Sequence, residues 1–184
     1  FLDLDLDALL GPVTKVVSNL PYSSGSRMLV DLAAADHPPA RMLVTVQQEV
    51  AGRLAASAGT AAYGLLSVLV QGRYAVRIIK QIAPGCFYPK PEVQSTLVQL
   101  VRLPGAITPK AEREYFRGFV KCAFSFRRKQ MASILGRVPA PYQRTEPAAV
   151  LARAGLCPRV RPEDLTVADW TRLVEVLREG PQSI

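Results

Sequence analysis

Residues 13–22 read VTKVVSNLPY, and the fold follows from how that stretch must be built. Val13 to Ser18 is short, β-branched and bounded by polar residues, which predicts a buried strand. Pro21 cannot donate to a sheet ladder, so the chain turns at Asn19-Leu20-Pro21-Tyr22. Ser23 to Ser26 supplies cap residues for a helix over about 27–35, which Pro38-Pro39 stops. Working outward, residues 41–46 (RMLVTV) form a second apolar strand and residues 47–56 a helix. Strand alternating with helix predicts parallel α/β units. Residues 61–70 (AAYGLLSVLV) are apolar enough for helix or strand; helix is favoured. Residues 75–82 and 96–103 are two strands around a Pro/Gly-rich loop, residues 84–91, which predicts an antiparallel hairpin closing the sheet.

Residues 104–109 look like a linker, and beyond them the periodicity is helical. Helices are predicted over 112–135, over 148–154 ending at Gly155, and from a Thr166 cap to about Leu177. The expected organisation is an α/β domain over 1–104 and a small all-helical domain over 105–184, with no internal repeat.

Composition narrows the function classes. The chain has 184 residues, 49% of them hydrophobic, which is too apolar for a disordered chain. No apolar run reaches the roughly 18 residues of a membrane helix. The start, FLDLDLDA, is acidic, unlike a signal peptide, and lacks an initiator Met. The alternation of Asp3, Asp5 and Asp7 with Leu reads as a half-buried segment, not as cofactor ligands. Net charge is +8, carried unevenly: residues 105–184 hold 14 Lys/Arg against 8 Asp/Glu, residues 1–104 hold 9 against 7. A basic C-terminal part suits a polyanionic partner or simply solubility. Cys86, Cys122 and Cys157 are odd in number and far apart, which argues against a disulfide framework or a zinc site and for reduced, buried thiols. His37 is the only histidine and precedes two prolines, so a Ser-His-Asp or His-metal mechanism has little to stand on.

The turn Asn19-Leu20-Pro21-Tyr22 is the candidate catalytic element, because ligands of open α/β sheets bind beyond the carboxyl ends of strands. An exocyclic amine on a nucleobase is a poor nucleophile, its lone pair being delocalised into the ring. Two acceptors facing the amine help it pyramidalise. The Asn19 side-chain oxygen and the Pro21 carbonyl are the candidates, and Tyr22 can stack on the base. The alternative is an ordinary strand-ending turn with a packed Tyr.

VVSNLPY resembles the adenine-methylase motif of the KsgA-type family of ribosomal RNA adenine dimethyltransferases. Further stretches resemble the family in the same order: MLVTVQQEVAGRL, YGLLSVLVQ, APGCFYPKPEVQSTLVQL, FVKCAFSFRRKQMASIL and RPEDLTVADWTRL. Together they cover nearly all of residues 13–178. The chain departs from the family's usual residues at Gln48 (usually Lys), Gln94 (usually Asp) and Ser23-Ser24 (usually Asn-Ile). The family's Gly-rich cofactor cradle lies upstream of the segment matched here.

The resemblance implies the C-terminal part of a Rossmann-like S-adenosylmethionine-dependent methyltransferase sheet plus the helical domain. It implies dimethylation of adenine N6 in small-subunit ribosomal RNA. S-adenosylmethionine is the implied methyl donor, near Asn19. The implied partners are small-subunit ribosomal RNA and the immature small subunit, met in the cytoplasm by a monomer without metal or membrane. It also implies that Phe87, in a Pro-stiffened loop, is the second aromatic wall for the base; the alternative is a Phe plugging the core. Arg113, Arg117 and Lys121 recur every four residues on one helical face, and Arg127-Arg128-Lys129 follow. With the resemblance these are candidate RNA contacts; with Glu112 and Glu114 alongside they also suit a solvated face. Two rivals stay open: a macrolide-resistance type of large-subunit RNA methylase, and a non-catalytic ribosome-assembly or nucleic-acid-binding protein. Without a Gly-rich cradle, the 184 residues by themselves are expected to bind RNA but not to bind the donor tightly or transfer methyl groups.

Overall fold

The computed structural model describes residues 5–11, 14–105 and 109–179. They form two compact units. The first comprises Phe1–Ala56 and Leu69–Lys110, the second Ser57–Val68 and Ala111–Ile184. Residues 57–68, read from sequence as part of the α/β domain, therefore cluster with the helices.

The first unit is a four-stranded sheet with helices α1 (Leu6–Leu9), α2 (Gly25–Ala34) and α3 (Gln48–Leu54). Its strands are β1 (Lys15–Asn19), β2 (Arg41–Gln47), β3 (Tyr74–Ile82) and β4 (Ser95–Arg102). The order is β1-β2-β4-β3. β1 runs parallel to β2, with Asn19 opposite Thr45. β4 is antiparallel to both β2 and β3, which is the closing hairpin expected from sequence.

β2 is the most buried strand because it has neighbours on both sides; Met42, Val44 and Val46 are core residues. Met28, Leu29, Leu32 and Ala33 recur at helical spacing and give α2 one buried stripe. Val98 and Leu100 of β4 and Ala51 and Leu54 of α3 complete this core. β1 differs from expectation. Among the described residues it pairs only with β2, and Val17 is 79% exposed. Among the described residues the strand thus has one neighbour and one open edge. Val13, at its expected start, lies outside the described residues, as does Asp3. Asp5 is exposed and caps α1 by accepting from the N–H groups of Asp7 and Ala8, both at 3.1 Å.

α4 (Leu65–Gln71) begins after a loop at Gly64 rather than at residue 61. The Ser67 hydroxyl accepts from the Gly64 N–H at 3.1 Å, a local bond that favours a cap over helix continuation.

The second unit holds α5 (Lys110–Phe124), α6 (Met131–Leu135), α7 (Pro147–Arg153) and α8 (Val167–Glu179). The single helix expected over 112–135 is two helices broken at residues 125–130. Trp170, Leu173, Val174 and Leu177 make the buried stripe of α8. Trp170 lies against Phe119 at 5.9 Å and Phe124 at 5.6 Å between ring centroids. Thr166 caps α8 as the sequence suggests: its hydroxyl accepts from the Asp169 N–H at 3.2 Å, and the Asp169 carboxylate accepts from the Thr166 N–H at 3.0 Å. The three cysteines are free, but Cys86 and Cys157 are exposed and Cys122 is half-buried. The expectation of buried thiols is thereby corrected: Cys86 and Cys157 fall in loops, outside both cores.

Candidate active site

Four consecutive residues leave the sheet at the carboxyl end of β1, and each is held differently. Leu20 donates its N–H to the Thr45 carbonyl at 3.1 Å, extending the ladder one residue past the strand. That bond fixes Asn19 at the sheet's end, with its side chain exposed. The Leu20 side chain is buried beneath the turn. The turn is tight because position 25 is glycine: a Cβ there would stand 3.0 Å from the Leu20 Cβ.

Pro21 corrects an expectation. Its carbonyl accepts from the Gly25 N–H at 2.8 Å and the Ser24 N–H at 3.3 Å. It thus serves as the acceptor at the N-terminus of α2. Ser24, the N-cap, makes no side-chain cap bond; its hydroxyl contacts the Met28 sulfur at 3.7 Å instead. A carbonyl oxygen has two lone pairs, and both are engaged here. The Leu20 carbonyl, by contrast, accepts no hydrogen bond among the described residues. It adjoins Asn19 and, unlike the Pro21 carbonyl, has no N–H donor among those residues.

Tyr22 is half exposed, and its hydroxyl shares a 2.6 Å hydrogen bond with the Ser95 hydroxyl at the start of β4. Ser95 is fully buried, so the bond ties the ring to the sheet. The loop between β3 and β4 supplies the facing wall. Residues 84–86 form one 3-10 turn, and the Phe87 N–H donates to the Pro84 carbonyl at 3.2 Å. Phe87 is half-buried and Tyr88 fully exposed.

Asn19, Leu20, Pro21, Tyr22, Phe87, Tyr88, Pro89 and Pro91 line one open cavity of about 270 Å³. That is near the low end of small-molecule sites, roughly 300–1,000 Å³. All five residues read from sequence as the catalytic set meet there. Sequence reading missed Ser95 and Tyr88. Ser95 carried one weak signal, a small hydroxyl residue opening an apolar strand. Gln48 and Gln94 meet through the backbone, the Gln48 N–H donating to the Gln94 carbonyl at 2.9 Å.

The basic residues of the second unit divide into two kinds. Arg127 is a clamp. Its Nε donates to the Glu163 carboxylate at 2.6 Å and its guanidinium to the Ala61 carbonyl at 3.0 Å. The Glu163 carbonyl in turn accepts from the Gly59 N–H at 2.8 Å. Arg113 and Arg117 are half-buried and have interactions of their own, while Glu112 is paired with Arg178 at 3.0 Å. Lys121, Arg128 and Lys129 are exposed. Among the described residues no group of three His, Cys, Asp or Glu side chains is placed to hold a metal ion. Nor is any described helix long and apolar enough to cross a membrane.

A sequence profile of the family described as "Ribosomal RNA adenine dimethylase" matches residues 11–179. The chain is 36% identical over 185 residues to the ribosomal RNA small subunit methyltransferase A of Paracoccus denitrificans (strain Pd 1222), covering 98% of this chain and 63% of that protein. It thus spans less than two thirds of that relative's length. Among solved structures, a dimethyladenosine transferase from Plasmodium falciparum superposes with a TM-score of 0.76 at 21% identity, over 90% of this chain and 67% of that one. The 23S rRNA methyltransferase ErmE superposes with a TM-score of 0.61 at 22% identity, over 95% of this chain and 70% of that one. At those identities the two superpositions establish the shared fold alone, the Rossmann-like methyltransferase sheet.

Proposed function

The chain belongs to the ribosomal RNA adenine dimethylase family, and on that premise we propose that its cavity receives the target adenine of an S-adenosylmethionine-dependent N6-dimethyltransferase. The substrate is small-subunit ribosomal RNA, methylated in the cytoplasm on the immature small subunit. The observation that carries the reading is that the whole Asn19–Tyr22 turn and Phe87 line one and the same cavity.

The Asn19 side-chain oxygen and the Leu20 carbonyl accept the two N6 hydrogens. Two acceptors on one side draw the amine out of conjugation and turn its lone pair toward the opposite side. Tyr22, held by Ser95, and Phe87 sandwich the base plane; stacking of this kind is worth about 1–3 kcal/mol per base. The base must leave any stack to enter, at a cost of a few kcal/mol. S-adenosylmethionine supplies the electrophilic methyl group. Asn19, at the carboxyl end of β1, fits contact with that donor. The glycines of the described residues are scattered and form no Gly-x-Gly cradle for it. When bound, the donor would supply its methyl group with the sulfonium leaving as a neutral thioether; the part of this chain is to hold the lone pair of the amine toward that methyl through Asn19 and the Leu20 carbonyl. The methylated amine then loses a proton to water and can react once more. Placement is the chain's main contribution, and correct positioning is worth roughly 7–11 kcal/mol.

The second unit is the RNA-docking part, through Lys121 of α5 and Arg128 and Lys129 of the loop after it, with Arg127 holding that loop in shape. The test is labelled methyl transfer by the complete protein to immature small and large subunits, followed by nucleoside mapping. N6,N6-dimethyladenine in small-subunit RNA supports the reading. Label confined to large-subunit RNA supports the macrolide-resistance type instead, and no transfer supports a non-catalytic role.

A further inference from the structure

Three aromatic rings stand around one opening, and a sandwiched base uses only two of them. Tyr22 is tied to Ser95 by a 2.6 Å hydrogen bond. Phe87 is fixed by the turn before it, its N–H bonded to the Pro84 carbonyl at 3.2 Å. Tyr88 is surplus. It lines the same cavity yet is fully exposed, and its hydroxyl makes no hydrogen bond among the described residues. Tyr88 therefore adds a fully exposed ring to the two part-exposed rings of the same opening, a cluster of aromatics and not a lone surface residue.

We propose that Tyr88 is the stacking platform for the nucleotide next to the target adenine, so that the site reads two consecutive bases. The inference rests on the adenine-methylation reading and extends it to a second subsite. Adjacent nucleotides are covalently joined, so a base drawn into the cavity brings its neighbour to the rim where Tyr88 stands. Pro89 and Pro91 fix φ on either side of Lys90 and so stiffen the loop that carries Tyr88. Lys90, two residues on, is exposed and adds a positive charge to the same loop. Every base has a π-face, so this subsite tolerates any neighbour and selects for polynucleotide over free nucleoside.

The test compares the complete wild-type protein with Tyr88→Phe and Tyr88→Ala on an RNA oligonucleotide carrying 2-aminopurine beside the target adenine. Tyr88→Ala is expected to raise KM for the oligonucleotide about 5- to 150-fold, the equivalent of one lost base–aromatic stack. Its kcat is expected to fall less than KM rises, because Asn19 and the Leu20 carbonyl, which orient the amine, keep their places. The 2-aminopurine fluorescence, quenched on binding wild type, stays largely unquenched on binding Tyr88→Ala. Tyr88→Phe keeps the ring and behaves as wild type in both measurements. If Tyr88→Ala matches wild type in KM and quenching while wild type methylates the adenine, the second subsite is overturned and the parent reading stands. If Tyr88→Phe fails as Tyr88→Ala does, the hydroxyl and not the ring is at work, and stacking is overturned. If wild type transfers no methyl group to the adenine, both readings fall.

Discussion

Gly118 in the middle of α5 sets two effects of opposite sign against each other. Replacing it with Ala removes a poor helix former, a gain of about 1 kcal/mol. The new Cβ, however, would stand 2.2 Å from the Tyr142 hydroxyl oxygen and 3.3 Å from its Cζ. The Tyr142 ring must therefore move. It packs edge-on against Tyr115 at 5.0 Å and tilted against Phe119 at 5.5 Å between centroids. Such pairs are worth about 0.5–1.5 kcal/mol each beyond area burial, and overpacking itself costs about 1–3 kcal/mol. Overpacking alone outweighs the propensity gain by up to about 2 kcal/mol, and with the ring pairing only partly lost the net destabilisation for Gly118→Ala is about 1–2 kcal/mol. Trp170, the only tryptophan and fully buried in the second unit, reports that unit's unfolding by fluorescence. At about 4–8 °C per kcal/mol for a unit of this size, its Tm falls by about 5–15 °C. Adding Tyr142→Phe removes the 2.2 Å contact and is expected to recover most of the loss. A Tm for Gly118→Ala at or above wild type, or no recovery in the double variant, would refute the reasoning.

Charge reversal separates the two kinds of basic residue: Lys121, Arg128 and Lys129 changed together to Glu should weaken binding to small-subunit RNA and flatten its salt dependence, since fewer counterions are released. Arg127→Ala should instead lower the Trp170-monitored Tm, because it breaks the Glu163 ion pair and the bond to the Ala61 carbonyl; salt-dependent weakening at unchanged Tm would return Arg127 to the RNA contacts. Burial, with the Asp169 charge behind it, pushes the Tyr63 hydroxyl from 10.0 up to about 12, against a smaller lowering by Trp170. A folded-state pKa above the unfolded one gives stability that is complete below about pH 10 and lost as pH rises through about 12. Alkaline unfolding followed at Trp170 should therefore fall in that window and move to higher pH in Tyr63→Phe, and an unmoved midpoint counts against this assignment.

Most strands and helices were legible because each carries one dominant pattern. β2 is an unbroken apolar run bounded by polar residues, and α8 shows buried residues at Trp170, Leu173, Val174 and Leu177. The break between α5 and α6 was not legible. Residues 125–130 contain no Gly or Pro, and the apolar spacing continues through them. What ends α5 is tertiary: Arg127 is drawn to Glu163, and the Met131 N–H bonds to the Val160 carbonyl at 2.8 Å. The four residues Asn19 to Tyr22 alone also suit an ordinary strand-ending turn; the candidate catalytic turn stood out by its place at the end of a strand and by the resemblance of VVSNLPY to a family motif. The role of its carbonyls did not, since nothing local shows that the Pro21 oxygen takes over as acceptor at the start of α2 and leaves the Leu20 oxygen free. Ser95 escaped for a similar reason, its partner Tyr22 lying 73 residues away in sequence.

The central claim is that the end of β1 orients the target amine, and Asn19→Ala in the complete protein tests it most directly. Asn19 is exposed at the strand end and its side chain makes no hydrogen bond among the described residues, so folding should be unchanged. Single-turnover methyl transfer to immature small subunits should fall at least about 100-fold, the loss typical when one preorganised polar group is taken from a reaction centre. Affinity for the RNA should stay within about 2-fold. Turnover within a few-fold of wild type, at equal RNA affinity, would contradict the account.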